Sequence, residues 1–176
     1  MHDVNEASFE EKVLRRSAEV PVVVDYWAAW CGPCRALGPV LEREVEALAG
    51  KVELVKIDTD ANPGLAARYQ IRGIPAVKAF RHGHVVAEFA GAQGRAAIDV
   101  FLDELTKPPV ADSVDDPELQ AALAAGDYER AFELLLGRVA DDPDGTRQLM
   151  VALFGELGHE HPLTVQYRRR LATAIY

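Results

Sequence analysis

Two cysteines stand three positions apart, in the segment Trp30-Cys31-Gly32-Pro33-Cys34. A loop that small barely constrains an unfolded chain, so the pair is not a structural staple. In a reducing compartment such a pair is catalytic, redox-sensing or half of a metal site. A structural zinc site takes four ligands, usually two such pairs, and the chain has no second pair. His82 and His84 flank a turn glycine, and His159 and His161 precede Pro162 in a helix connection. Neither pair has the company a metal needs, and no metal or cofactor is expected. The inert alternative is two small buried hydrophobes. The local pattern favours redox chemistry over it. An apolar run ends near Trp27 and Pro33 can open a helix, which places Cys31 at a helix N-terminus. The unpaired N–H groups and the dipole there favour a thiolate. Cys34 lies in the first turn, within reach, and Gly32 and Pro33 put little between the sulfurs. A disulfide there can open and close without unfolding the chain.

Asp25 interrupts Val22-Val23-Val24 and Tyr26-Trp27, and a buried carboxylate without a partner holds its proton more tightly. Six residues before Cys31, it can accept a proton from a buried thiol, directly or through water. The plainer alternative is a paired structural aspartate. Ile74-Pro75 precedes a strand, and a trans bond is the default for such a pair.

The elements that position these residues follow from the pattern. Asn5 or Ser8 can cap a helix with Phe9, Val13 and Leu14 on its apolar side. Pro21 to Trp27 reads as a buried strand. A helix from Pro33 carries Leu37, Leu41, Val45 and Leu48 at spacings of three and four, and ends at Gly50. Val52 to Asp58 is a strand, and Asn62-Pro63 opens a short helix, Gly64 to Tyr69. Ala76 to Phe80 and Val85 to Phe89 form a hairpin, and Gly94 to Leu105 closes the unit as a helix. The fold class is α/β, a mixed sheet with helices on both faces.

Lys107-Pro108-Pro109 breaks this pattern, and residues 108–116 read as a linker. The rest, 117–176, is helical. Gly126-Asp127-Tyr128-Glu129-Arg130-Ala131 forms a helix junction, and Pro143 is read as stopping the second helix. That unit resembles one tetratricopeptide repeat, followed by helices over about Thr146–Leu157 and Leu163–Ile175. The stripe Leu119, Leu123, Ala131, Leu134, Leu135, Val139, Leu149 and Leu153 reads as core. The run Arg168 to Arg170 reads as a solvated helix face.

Composition narrows the function. The chain of 176 residues is 49% hydrophobic, enough to close a core. Its net charge of -9 disfavours a nucleic-acid partner. No run reaches the roughly 18–20 apolar residues of a membrane helix, so no membrane partner is expected. The N-terminus lacks the pattern of a secretory signal, and a cytoplasmic location is expected. Residues 108–176 carry 6 basic against 12 acidic side chains, a more acidic balance than the 13 against 16 of residues 1–107.

Across residues 1–107 the chain resembles thioredoxin. The resemblance rests on the segment Val23 to Cys34, then Val55-Lys56-Ile57-Asp58, Asn62-Pro63-Gly64, Arg72-Gly73-Ile74-Pro75, Gly83 and Gly91. It implies a thioredoxin fold, with Cys31 the attacking thiol and Cys34 the resolving thiol of a redox-active disulfide. It implies that Asp25 and Lys56 tune the Cys34 proton. Trp30, Gly32, Pro33, Ile74, Pro75 and Gly91 would then line the substrate groove, with Pro75 cis. Arg35 follows the motif where thioredoxins often have Lys or Met, and keeps the charge. The whole chain resembles the chaperedoxins, bacterial thioredoxin-domain co-chaperones with tetratricopeptide repeats, shortened in the repeat region.

Two functions follow from these resemblances. One is a protein-disulfide reductase, with disulfide-bearing proteins as substrates and thioredoxin reductase as electron donor. The other is a redox-linked holdase whose helical module binds unfolding clients and passes them to chaperonin.

Overall fold

The computed structural model describes residues 2–175. Its chain divides after Lys107 into two compact units. The first is built on five strands: β1 (His2–Asp3), β2 (Val22–Trp27), β3 (Glu53–Asp58), β4 (Ala76–Arg81) and β5 (His84–Ala90), in the order β1-β3-β2-β4-β5. β1 and β2 run parallel to β3, while β4 runs antiparallel to β2 and to β5. The helices are α1 (Gly32–Ala47), α2 (Pro63–Arg68) and α3 (Arg95–Thr106).

Strand alternation makes two cores. Val22, Val24 and Tyr26 of β2 pack with Phe9, Val13, Leu65 and Phe80. Val23 turns the other way, onto Leu37 and Leu41 of α1 and Ile98 and Leu102 of α3. Asp25 shares the parity of Val23, which aims the acid at the α1 face.

The expected N-terminal helix is not regular. It is a π-type segment, Glu10–Arg15, running into a 3₁₀ turn, Arg16–Ala18. Asn5 Oδ1 accepts the Ser8 N–H at 3.0 Å just ahead of it, while the segment's own N-cap, Phe9, has no side-chain cap bond. The buried Ser17 hydroxyl donates to Leu14 O at 2.7 Å and accepts from Gly83 N–H at 2.8 Å, tying this segment to the hairpin turn.

The second unit holds a 3₁₀ turn, Val110–Ser113, and four helices: α4 (Pro117–Ala124), α5 (Tyr128–Leu136), α6 (Pro143–Leu157) and α7 (Pro162–Ile175). One core gathers Leu119, Phe132, Leu135, Met150, Leu153 and Tyr167. Segment 108–116, read as a linker, carries the turn and sends Val114 into this core. Pro143 begins α6 rather than stopping α5, which already ends at Leu136. A proline suits a first helical turn, where its missing N–H has no partner to lose. The arginine run is exposed, as its solvated-face reading expects, and two of its members also make contacts. Arg170 pairs with Glu133 and lies over the Tyr167 ring, and Arg168 lies over Phe154. Among the described residues no helix is long and apolar enough to cross a membrane.

Candidate functional site

The sheet ends where α1 begins, and the cysteines sit at that junction. Cys31 is the N-cap of α1, and Pro33 lies in the first turn, where a proline is preorganised for a helix. Cys31 and Cys34 are joined in a disulfide with Cα atoms 5.3 Å apart. The Cys34 N–H donates to Cys31 Sγ at 3.2 Å. The Cys31 sulfur thus occupies the place of a capping oxygen, where N–H groups and the helix dipole favour negative charge. Both cysteines are nearly covered, 3% and 4% exposed, while Gly32 and Pro33 between them are exposed. Arg35 folds its guanidinium back to donate to Ala29 O at 2.8 Å, holding the loop that precedes Cys31.

Gly38 stands four residues after Cys34, so both lie on one face of α1. A Cβ at Gly38 would come within 4.0 Å of Asp25 Oδ2 and 3.3 Å of Lys56 Nζ. The acid therefore lies beneath the turn that follows Cys34. Asp25 is 1% exposed and its Oδ1 has no hydrogen-bond partner. Burial pushes its carboxyl from 3.8 up to about 6; the Lys56 charge opposes the rise and the Glu42 charge adds to it. Lys56 is the register partner of Asp25 on β3 and lies over the Trp27 ring, 5.1 Å from its centre. Its ion pair is with Glu42 of α1, at 3.3 Å. Glu42 was not singled out in the sequence. The available signal was its place eight residues after Cys34, two turns along the same helix face.

Around this centre, the Ile74–Pro75 bond is cis, as the resemblance implied and against the trans default. Pro75 is buried and its carbonyl accepts the Gly91 N–H at 2.8 Å, so these two groove candidates meet. Gly91 has φ +80, a conformation that favours glycine. Ile74 is half-buried against the core that holds Phe9 and Tyr26. Trp30 is 68% exposed, and its Nε1 donates to Asp60 Oδ2 at 2.8 Å. Asp60 is a second residue the sequence did not single out. Among the described residues no cluster of three or more His, Cys, Asp or Glu could hold a metal ion.

The thioredoxin family model matches residues 1–104. The chain belongs to the thioredoxin family. A tetratricopeptide-repeat model matches residues 105–176. Thioredoxin C-2 of Corynebacterium nephridii is 43% identical over 102 residues, which span 58% of this chain and 93% of that protein. The thioredoxin of Pseudomonas aeruginosa is 42% identical over 101 residues, 57% of this chain and 92% of that protein. That of Rhodospirillum rubrum is 48% identical over 92 residues, 52% and 86% respectively. With its Cys31–Cys34 pair, this thioredoxin-family chain is a thiol–disulfide oxidoreductase of the disulfide-reductase type.

Proposed function

We propose that Cys31 is the attacking thiol in the reduction of disulfides on protein substrates, and Cys34 the resolving thiol. The Cys31 thiolate attacks one substrate sulfur. The substrate disulfide breaks, a mixed disulfide forms, and the departing sulfur takes a proton. Asp25 then receives the Cys34 proton, directly or through water, and the Cys34 thiolate attacks Cys31 Sγ. The mixed disulfide breaks, the second substrate sulfur leaves as a thiol, and the Cys31–Cys34 bond forms. Two electrons have passed from the dithiol to the substrate.

Lys56 tunes Asp25 by its charge. Trp30, Gly32, Pro33, Ile74, Pro75 and Gly91 form the surface that meets an extended substrate. Thioredoxin reductase is the proposed electron donor, and a reducing cytoplasm the proposed setting. The observation that carries this reading is the Cys31 sulfur at the N-cap of α1, accepting the Cys34 N–H. Insulin reduction driven by dithiothreitol tests it. The wild type is expected to accelerate the reaction, and Cys31→Ser to lose all acceleration. A Cys31→Ser variant with wild-type rates would overturn the assignment.

The tetratricopeptide match over residues 105–176 supports a protein-binding role for the helical unit. It also supports a second reading, a co-chaperone that holds unfolding clients and passes them to chaperonin. A Cys31→Ser, Cys34→Ser double variant that still suppresses client aggregation would favour that reading. A wild type with no suppression would remove it.

A further inference from the structure

Lys56 faces two carboxylates and pairs with the one the mechanism does not use. Its ammonium is 3.3 Å from Glu42 Oε1. Asp25, its register partner, keeps an unpartnered buried Oδ1. Gly38 stands beside this arrangement. Its missing side chain leaves a gap whose Cβ position lies 3.3 Å from Lys56 Nζ, 3.9 Å from Glu42 Oε1 and 4.0 Å from Asp25 Oδ2. All three groups converge on one point beside α1, one turn after Cys34. The Lys56 side chain is 17% exposed and that of Glu42 38%, so Glu42 is also where the cluster reaches water.

The charged groups acting on Asp25 are Lys56 from β3 and Glu42 from α1, while β4 opposes it with the apolar Val77. We propose that Glu42 is a positioning residue for proton transfer at Asp25: it anchors the Lys56 ammonium in the gap at Gly38 and so leaves the buried acid able to take up a proton. The inference rests on the assignment of Asp25 as proton acceptor. A lysine free to close on Asp25 would hold the carboxylate ionised and make it a poor base at neutral pH. Glu42 prevents that by offering a better-solvated counter-charge. Its own negative charge acts in the same direction.

The test is Glu42→Gln in the full-length protein, with two readouts. In the reduced protein, the Asp25 side-chain carboxyl is followed by carbon NMR against pH. In parallel, the pH profile of insulin reduction is measured. Loss of Glu42 is expected to move the Asp25 midpoint down by about half a unit or more, and to move the acid limb of the rate profile with it. Lys56→Met is expected to move the midpoint up, and Glu42→Gln added to Lys56→Met to move it less than Glu42→Gln alone. Glu46→Gln, on an exposed position of the same helix, is expected to change neither readout. A Glu42 that merely braced α1 would lower the melting temperature and leave the midpoint where it was. An unmoved midpoint in Glu42→Gln overturns the inference. A midpoint that moves while the rate profile does not follow supports the anchoring by Glu42 and overturns Asp25 as the proton acceptor.

Discussion

The two units place their polar groups differently. In the helical unit, Asp116, Asp127 and Asp142 each cap the helix that follows, accepting from Leu119, Arg130 and Gly145 N–H groups. Its charged side chains pair across helices, as in Arg138–Asp116 and Arg170–Glu133. The sheet unit leaves Asp25 Oδ1, Tyr26 OH and Trp27 Nε1 unpartnered on three successive residues of β2. Its longest helix is capped by a cysteine rather than an aspartate. The buried Thr164 Oγ1 of the helical unit is unpartnered as well, so the contrast lies in the run of three such groups on β2, the strand that carries Asp25. The contrast separates changes to a core from changes to the cysteine site.

The largest effect should come from a single sulfur. Cys31→Ser is expected to lower insulin reduction by on the order of a thousand-fold or more. The melting of the helical unit should stay put, as followed by circular dichroism. A variant that lost helical stability instead would erase the contrast.

Next comes the core of the second unit. Phe132 is fully buried and stacked on Tyr167 with ring centres 4.7 Å apart. Phe132→Ala is expected to destabilise that unit by about 3–5 kcal/mol in urea unfolding, with insulin reduction unchanged.

Asp25 sharpens the comparison because, as the proposed proton acceptor, it would trade stability for chemistry. Its carboxyl titrates at about 6 when folded, above the ordinary 3.8. The folded state therefore holds the proton more tightly, and stability falls as pH rises from the ordinary value through the folded one. Above that window the burial penalty is felt in full. Asp25→Asn is expected to raise the stability of the sheet unit at pH 7 by on the order of 2–3 kcal/mol, and to flatten this pH dependence. It should slow insulin reduction at the same pH. Paired urea melts at pH 4 and pH 7, with rates alongside, check both signs.

The smallest effect belongs to a cap. Asp127→Ala removes the acceptor for the Arg130 N–H and is expected to cost about 1 kcal/mol in the helical unit, with no change in reduction rate.

The cysteine site and the strands around it are legible in the residues themselves, whereas the caps and ion pairs of the helical unit are not. Strands β2 to β5 and helix α1 announced themselves through apolar runs and periodicity. The cysteine pair and Asp25 stood out because they break the pattern around them. Glu42 and Asp60 did not, since a glutamate on a helix and an aspartate in a loop look like ordinary surface residues. Their roles depend on β3 and α1 bringing Lys56 to Glu42, and on a loop bringing Asp60 to Trp30, contacts set by pairing across the fold. The spacing of Phe9, Val13 and Leu14 is that of a plain helix, and the structure instead has a π-type segment at Glu10–Arg15. Proline both ends and begins helices, and the end of α5 at Leu136 shows that Pro143 begins α6.

Trapping of the covalent intermediate tests the division of labour between the two sulfurs most directly. Cys34→Ser, incubated with a disulfide-bearing protein, should accumulate a mixed disulfide that peptide mapping places on Cys31, and Cys31→Ser should accumulate none. A stable adduct on Cys34 in Cys31→Ser, with none on Cys31 in Cys34→Ser, would contradict the account.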